Sequence, residues 1–326
     1  MRAIVREAFG GPEQLKITEV PVPEPGPDDV RINVKAFGIN RAETYMRRGT
    51  WGDVDRISGI ECVGVVDQDP SGQFQPGQTV AAMMGGLGRT RPGSYAEITC
   101  APASNVFALD TDLSWADLAA IPESFGTAWW CLFENLKLEF GHVLLVRGAT
   151  SALGRAAVSI AADAGAVVIA TTRHRDANAA ALETLGAGEV LEERDDLSDA
   201  IRATRPNGID RVLDLVGNRT FRDSVRALAP RGRFCQAGFL GGAEPIKDFN
   251  PIFDLPSDVH VSFFGSFMLG TDGYPTCRIP MQTIVDRVST GRYVAKPARV
   301  FSFEHVPDAH RVMESNAANG KLVVEV

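Results

Sequence analysis

Residues 147–155 read Arg-Gly-Ala-Thr-Ser-Ala-Leu-Gly-Arg and lead through an alanine-rich stretch to Thr171-Thr172-Arg173-His174-Arg175. This stretch constrains the fold more than any other part of the chain. His142–Val146, just ahead of it, is a short apolar run that suits a buried parallel strand. Gly148–Ser151 supplies the small residues of a tight turn, and Leu153, Ala157 and Ile160, with Ala156 and Ala164 beside them, place an apolar stripe on the helix that follows. Ala166–Ala170 is the second strand. A strand–turn–helix–strand unit of this kind brings backbone N–H groups and a helix N-terminus against a pyrophosphate, which points to a bound dinucleotide.

The glycine pattern departs from GxGxxG: Ala149 and Ser151 stand where two of the glycines would fall, and Gly154 is the third. An ordinary strand–helix turn without a ligand fits these residues too. Gly154 permits close helix–strand packing, and Ser151 is placed to cap the helix and to offer its hydroxyl to a phosphate oxygen. The end of the second strand separates the cofactors. NAD-binding folds usually carry Asp or Glu there to accept from the ribose 2′-OH. Here Thr172 and Arg173 stand in its place, and no carboxylate comes before Asp176. A guanidinium suits a 2′-phosphate through charge-assisted bonds, so NADPH is favoured over NADH. The alternative for Arg173 is a solvated surface arginine.

A chain of 326 residues calls for two domains rather than one core. Its net charge of −8, with no basic cluster, argues against nucleic acid and against an anionic membrane surface. The beginning of the sequence has no signal-peptide core, and the most apolar stretch, Ala156–Thr172, is interrupted by Asp163, so no membrane span is expected. The five cysteines, Cys62, Cys100, Cys131, Cys235 and Cys277, show no CxxC spacing. They read as reduced core thiols of a cytoplasmic protein.

The first third is rich in short strands, at Arg2–Val5, Leu15–Val20, Val30–Phe37, Cys62–Asp67, Thr79–Met83 and Ser94–Ala101, separated by Pro/Gly turns. They suggest a partly open barrel. Arg41–Arg48 is expected to be a short helix; Arg47 and Arg48 read by default as its solvated end, the alternative being that they draw in an anionic substrate. From Ser114 onward helices and strands alternate, which predicts an α/β unit with a doubly wound parallel sheet. Its later strands are expected at Glu189–Glu192, Arg211–Leu215, Gly232–Ala237 and Val259–Phe264. Helices are expected at Pro280–Thr290 and Asp308–Asn316, and a last strand at Lys321–Val326.

Barrel, dinucleotide unit and return segment, in that order, resemble the medium-chain dehydrogenase/reductase superfamily, and within it the zinc-independent NADPH:quinone oxidoreductases. The motifs that carry the resemblance are Phe9-Gly10-Gly11-Pro12-Glu13, Gly38-Ile39-Asn40-Arg41-Ala42-Glu43-Thr44-Tyr45, Gly59-Ile60-Glu61-Cys62-Val63-Gly64, Pro76-Gly77-Gln78-Thr79-Val80, Leu213-Asp214-Leu215-Val216-Gly217 and Gly320-Lys321-Leu322-Val323-Val324. The resemblance implies a GroES-like catalytic domain over residues 1–118, a Rossmann domain over 119–267 and a return segment over 268–326. It also implies no metal: Asn40, Ile60 and Glu123 stand where zinc-dependent members place ligands, and Gly85–Thr99 lacks the cysteines of a structural zinc lobe.

Carried over residue by residue, the resemblance makes Asn40 and Tyr45 the catalytic pair, each able to donate to a carbonyl oxygen that gains charge as hydride arrives. The alternatives are a structural turn Asn and a half-buried Tyr. Thr127 would face the nicotinamide; Ser151, Ala152, Leu153 and Gly154 would form the pyrophosphate turn; Thr172 and Arg173 would take the 2′-phosphate. Gly238, Phe239, Leu240 and Phe264 would line the cofactor at later strand ends, and Lys321 would lie near the cleft or be a plain surface lysine. Trp51 departs from a tyrosine often found there, which leaves the acceptor open, and Trp129 and Trp130 read as core. The function implied is hydride transfer from NADPH to a small-molecule electrophile, a quinone or other conjugated carbonyl. Reduction of an enal, enone or enoyl-thioester C=C bond is the alternative, and a non-enzymatic NADPH-binding protein the outside one. Ser257–Leu269 reads as a long apolar edge strand, a pairing template that predicts a homodimer.

Overall fold

Short strands punctuated by Pro and Gly build the first unit of the chain. The computed structural model describes residues 1–326. It divides them into Met1–Gly126 with Phe267–Val326, and Thr127–Ser266. In the first unit β1 (Arg2–Arg6) and β2 (Leu15–Glu19) form a two-stranded antiparallel ladder. β3 (Asp29–Ile39) alternates buried and partly exposed residues, then is buried throughout from Ala36. α1 (Arg41–Arg48) follows at once, capped by Asn40 and Glu43 in a reciprocal capping box. β4 (Glu61–Gln68), β5 (Thr79–Met83), β6 (Ile98–Pro102) and β7 (Val106–Ala108) come next, then α2 (Trp115–Ala119) and α3 (Pro122–Trp129), which runs into a π-helical turn at Trp130–Asn135.

The second unit contains β8 (Val143–Arg147), α4 (Ala152–Asp163), β9 (Val167–Thr172), α5 (Arg175–Thr184), β10 (Glu189–Glu192), α6 (Leu197–Thr204), β11 (Ile209–Asp214), α7 (Phe221–Arg226), β12 (Leu228–Gln236), α8 (Pro251–Asp254) and β13 (His260–Phe263). The chain then returns to the first unit with α9 (Met281–Ser289), β14 (Arg299–Ser302), α10 (Val306–Glu314) and β15 (Leu322–Glu325).

The first unit's main sheet has the order β14-β15-β3-β4-β5-β7, with β6 also paired to β3. Its core gathers Ile32, Phe37, Val66, Val80, Tyr95, Phe303 and Leu322. β15 lies antiparallel to β3 with Leu322 opposite Ile39. That register sets Lys321 beside Asn40. The second unit's sheet has the order β10-β9-β8-β11-β12-β13, parallel throughout. Strand order reverses between β8 and β11, so the carboxyl ends of these strands meet at a switch point where α/β sheets bind ligands.

Several expectations need correcting. The sequence predicts a boundary after residue 118, but the first unit continues to Gly126 because α2 packs on β3, β4 and β15. The long edge strand at Ser257–Leu269 shrinks to the four residues of β13, and the chain turns into a short 3-10 helix at Ser266–Met268. β7 and β14 carry too little apolar alternation to be read in advance. Arg47 is not at a solvated helix end: it is fully buried and pairs with Glu314, while Arg48 is half-exposed. Of the five cysteines, Cys62, Cys131 and Cys235 are buried as expected, but Cys100 is partly exposed and Cys277 exposed.

Candidate active site

In the second unit the turn after β8 is built so that α4 begins as close to the sheet as backbone allows. Gly148 adopts φ +78°, a conformation that suits glycine. A Cβ on Gly154 would meet the Gly148 carbonyl oxygen at 2.5 Å and the Ala149 Cα at 2.7 Å. Ser151 is the N-cap of α4: its Oγ accepts from the Gly154 N–H at 3.0 Å and donates to the Gly148 carbonyl at 2.9 Å. The hydroxyl proton is thus spent on closing the turn rather than free for a phosphate. The amides of Ala152 and Leu153, in the first turn of α4, have no helical acceptor.

The neighbouring strand ends converge on this turn. Thr171 Oγ1 accepts from the Gly148 N–H at 3.2 Å and donates to Glu193 at 2.6 Å. Glu193 and Asp223 in turn hold the fully buried guanidinium of Arg147. Thr172 Oγ1 accepts from Asn178 at 3.1 Å, so this hydroxyl anchors the start of α5. Arg173, next along, is exposed and has no hydrogen-bond or ion-pair partner within the chain. After β11, Asp214 is fully buried and accepts from the Val216 and Gly217 amides at 2.9 Å and from Thr220 and Ser224. Burial pushes its carboxyl upward, against those donors and the Arg147 charge. Gly238 and Phe239 follow β12, and Leu240 folds back so that its amide donates to the Leu215 carbonyl at 3.0 Å. The Leu240 side chain reaches the Gly148 turn: a Cβ there would sit 3.1 Å from Leu240 Cδ1. Phe264, past β13, is buried and stacks on Trp130 with centroids 6.2 Å apart. Thr127 is buried in α3.

In the first unit the residues around Asn40 form a dense buried polar cluster. Lys321, 4% exposed, donates from Nζ to Asn40 Oδ1 at 2.7 Å and to Glu61 Oε1 at 2.5 Å. Asn40 Nδ2 donates to the same Glu61 oxygen at 2.9 Å. Glu61 Oε2 accepts from the Glu123 amide at 2.7 Å, and the Glu123 carboxylate lies 4.0 Å from Lys321. Burial works to lower the Lys321 pKa, but the charges of Glu61 and Glu123 outweigh it, so the ammonium is held above its ordinary value. The two contacts fix the Asn40 amide with its oxygen toward Lys321, leaving one Nδ2 proton free to donate.

Behind this cluster, Glu43 accepts from the Asn40 amide at 2.7 Å, the Ile60 amide at 3.0 Å and the Tyr95 hydroxyl at 2.7 Å. Tyr95 also lies 3.0 Å from His310 Nε2, and Arg47 Nε donates to His310 Nδ1 at 3.4 Å. One proton arrangement satisfies the chain: Arg47 donates to Nδ1, a neutral His310 donates from Nε2 to Tyr95, and Tyr95 donates to Glu43. Burial raises Glu43 to about 7 and, with help from Arg47, lowers His310 to about 3. Tyr45 lies on α1, its ring stacked on Trp51 at 6.2 Å and 4°. Its hydroxyl makes no hydrogen bond within the chain.

Known proteins match both units. The family model described as alcohol dehydrogenase GroES-like domain matches residues 26–111, and the one described as zinc-binding dehydrogenase matches residues 152–281. A quinone oxidoreductase of Lama guanicoe is 31% identical over 99% of this chain and 97% of its own length. This chain belongs to the quinone oxidoreductase family of medium-chain dehydrogenases/reductases. A solved NAD-dependent alcohol dehydrogenase is 30% identical with a TM-score of 0.84, covering 100% of both chains. The Escherichia coli quinone oxidoreductase complexed with NADPH shares the fold at a TM-score of 0.87 and 20% identity, again covering 100% of both.

As a quinone oxidoreductase family member, the chain is an oxidoreductase with a GroES-like domain and a parallel-sheet Rossmann domain. The sequence gives Asn40 and Lys321 separate tasks and no sign that they hydrogen-bond to each other. It does not announce Glu61, Glu123, Glu43, Tyr95 or His310 as one network. The available signal was charge at positions a barrel would bury, Glu61 at the head of β4 and Glu43 within α1. Arg147 and Asp214 carried the same signal, each closing a buried parallel strand. No group of three or more His, Cys, Asp or Glu is placed to hold a metal ion, and no helix is long and apolar enough to cross a membrane.

Proposed function

We propose that this protein reduces a quinone or another conjugated carbonyl with NADPH as the hydride donor. The observation that carries the cofactor choice is the end of β9, where an unpaired Arg173 follows Thr172 and no carboxylate is present to receive a ribose 2′-OH. A 2′-phosphate suits that guanidinium. The turn also fits the pyrophosphate: Gly154 lets α4 begin directly against the Gly148–Ala149 backbone, and the first amides of α4, those of Ala152 and Leu153, have no helical acceptor. Thr127, Gly238, Phe239, Leu240 and Phe264 are assigned to the remaining length of the dinucleotide. When bound, NADPH supplies a hydride from its nicotinamide ring.

The chain's own contribution is to hold the acceptor and meet the charge that develops on it. Tyr45, with an uncommitted hydroxyl, and the free Nδ2 proton of Asn40 donate to the acceptor oxygen. Lys321 and Glu61 act on Asn40, keeping its amide in the donating orientation. We assign no zinc to this site. Ile60 offers no donor atom, and the oxygen by which Asn40 would bind a metal already receives a proton from an ammonium ion. We further assign the protein to a reducing, cytoplasmic setting and to a homodimer joined at β13, an edge strand of the sheet whose Val261 and Phe263 side chains are exposed.

Cofactor titration tests the reading. Arg173→Ala should weaken NADPH binding about ten- to hundredfold, the worth of a charged hydrogen bond to phosphate, while leaving NADH nearly unchanged. Equal affinity of the native protein for NADPH and NADH would overturn it.

A further inference from the structure

Arg89 has an environment that the functions assigned so far do not use. Its guanidinium lies 4.5 Å from the Phe267 ring centroid and 5.8 Å from that of Trp51. Trp51 meets Phe267 edge-on at 6.3 Å and stacks on Tyr45. Arg2, Arg31, Arg47 and Arg91 in the same unit each hold a carboxylate. Arg89 holds none, nor does its side chain make any hydrogen bond within the chain. Burial alone pushes its pKa down, with no acidic neighbour pulling the other way.

The residue is also firmly presented. Its amide donates to the Gly86 carbonyl at 3.0 Å, and its carbonyl accepts from the Asp55 amide at 3.0 Å. The preceding Gly88, at φ +68°, packs so closely that a Cβ would lie 3.1 Å from the Gly59 nitrogen. A partly desolvated guanidinium with its donor fork unmet is costly unless something completes it. Ring stacking compensates for part of that cost, and a planar anion would meet both the fork and the rings.

We propose that Arg89, Trp51 and Tyr45 form a subsite for acceptors that are flat, conjugated and carry a negatively charged substituent such as a carboxylate. The flat ring lies against Trp51, the anionic group pairs with Arg89, and the acceptor oxygen stays within reach of Tyr45. This rests on the reading of Tyr45 as a donor to the acceptor, and it narrows the acceptor class from any conjugated carbonyl to anionic ones.

The test uses two inert probes that differ only in charge, 2-naphthoate and 2-naphthamide, titrated calorimetrically into the full chain without NADPH. The native protein should bind the naphthoate at least about tenfold more tightly, the range of a charged hydrogen bond. In Arg89→Met the ratio of the two affinities should fall to about one, and Arg89→Lys, which keeps the charge but not the fork, should retain part of the preference. Equal binding of both probes by the native protein, or a parallel loss of both in Arg89→Met with the ratio intact, would overturn the proposal. A steady-state arm compares a carboxylated and an uncharged naphthoquinone with NADPH. Charge-selective binding without turnover of either quinone would leave the subsite standing and refute the reductase reading. Turnover of both quinones with unselective probe binding would do the reverse.

Discussion

Removing the Lys321 ammonium should be among the most costly single changes in this protein. In Lys321→Met the stem is kept and the charge is lost. Glu61, fully buried, then loses its 2.5 Å partner and keeps only Asn40 Nδ2 and the Glu123 amide as donors. Asn40 Oδ1 loses its 2.7 Å donor as well. Breaking a buried ion pair from one side costs about 3–5 kcal/mol, because the remaining charge is left in a poorly polarisable setting. The pair as a whole is worth much less than that, since two desolvation penalties vanish when both partners go. The double variant Lys321→Met/Glu61→Gln should therefore recover at least half of the loss, a coupling of about 2 kcal/mol or more. Urea unfolding of the native protein, both single variants and the double variant closes the cycle. A Lys321→Met protein within about 1 kcal/mol of native at neutral pH, or additive single effects, would refute the reasoning.

Three further outcomes follow from the same structure. Burial holds His310 down to about 3. The native ring therefore stays neutral while the unfolded ring takes a proton below about pH 6.5, and stability is lost as pH falls, by up to about 3 kcal/mol between about pH 7 and about pH 4. Glu43, raised to about 7 by burial, has the opposite sign and gains stability as pH falls from about 7 toward its unfolded value. His310→Gln should thus lose less stability on acidification than the native protein, and identical pH profiles of chemical unfolding would contradict this. Tyr45→Phe should cut quinone turnover about tenfold or less, well short of the roughly hundred- to thousandfold cost of losing a strong oxyanion donor; native NADPH affinity with no detectable turnover would make Tyr45 an obligatory acid instead. Phe263→Lys on the exposed face of β13 should shift a dimer toward monomer in sedimentation, and a native protein that is already monomeric at micromolar concentration would refute the dimer.

Much of this architecture could be read from the sequence because it rests on local rules. Leu153, Ala157 and Ile160 repeat at helical spacing, α1 and β10 are bounded by their own caps and turns, and the strand end at Thr172–Arg173 shows its missing carboxylate directly. The Asn40 cluster could not be read in this way. Its members come from α1, β4, α3 and the approach to β15, and only the antiparallel register of Leu322 against Ile39 brings Lys321 to Asn40. Spacing along a chain carries no trace of such a register. Arg89 is illegible for a related reason: an arginine in a Gly-rich loop reads as solvated, and only the fold sets the Phe267 ring, remote in sequence, against it. β13 is shorter than the sequence predicts because, of the largely apolar run that Val259, Val261, Phe263, Phe264 and Phe267–Leu269 form, only His260–Phe263 finds a partner strand in β12.

Metal-free hydride transfer from NADPH to a conjugated carbonyl is the reaction proposed for this protein. It is tested most directly by steady-state oxidation of NADPH by metal-stripped protein against a panel of 1,4-quinones, 2-alkenals and enoyl thioesters. Quinones should be turned over at a rate unaffected by chelator and by added zinc. Oxidation of NADPH by none of the three classes, or activity that appears only on restoring one zinc per chain, would contradict it.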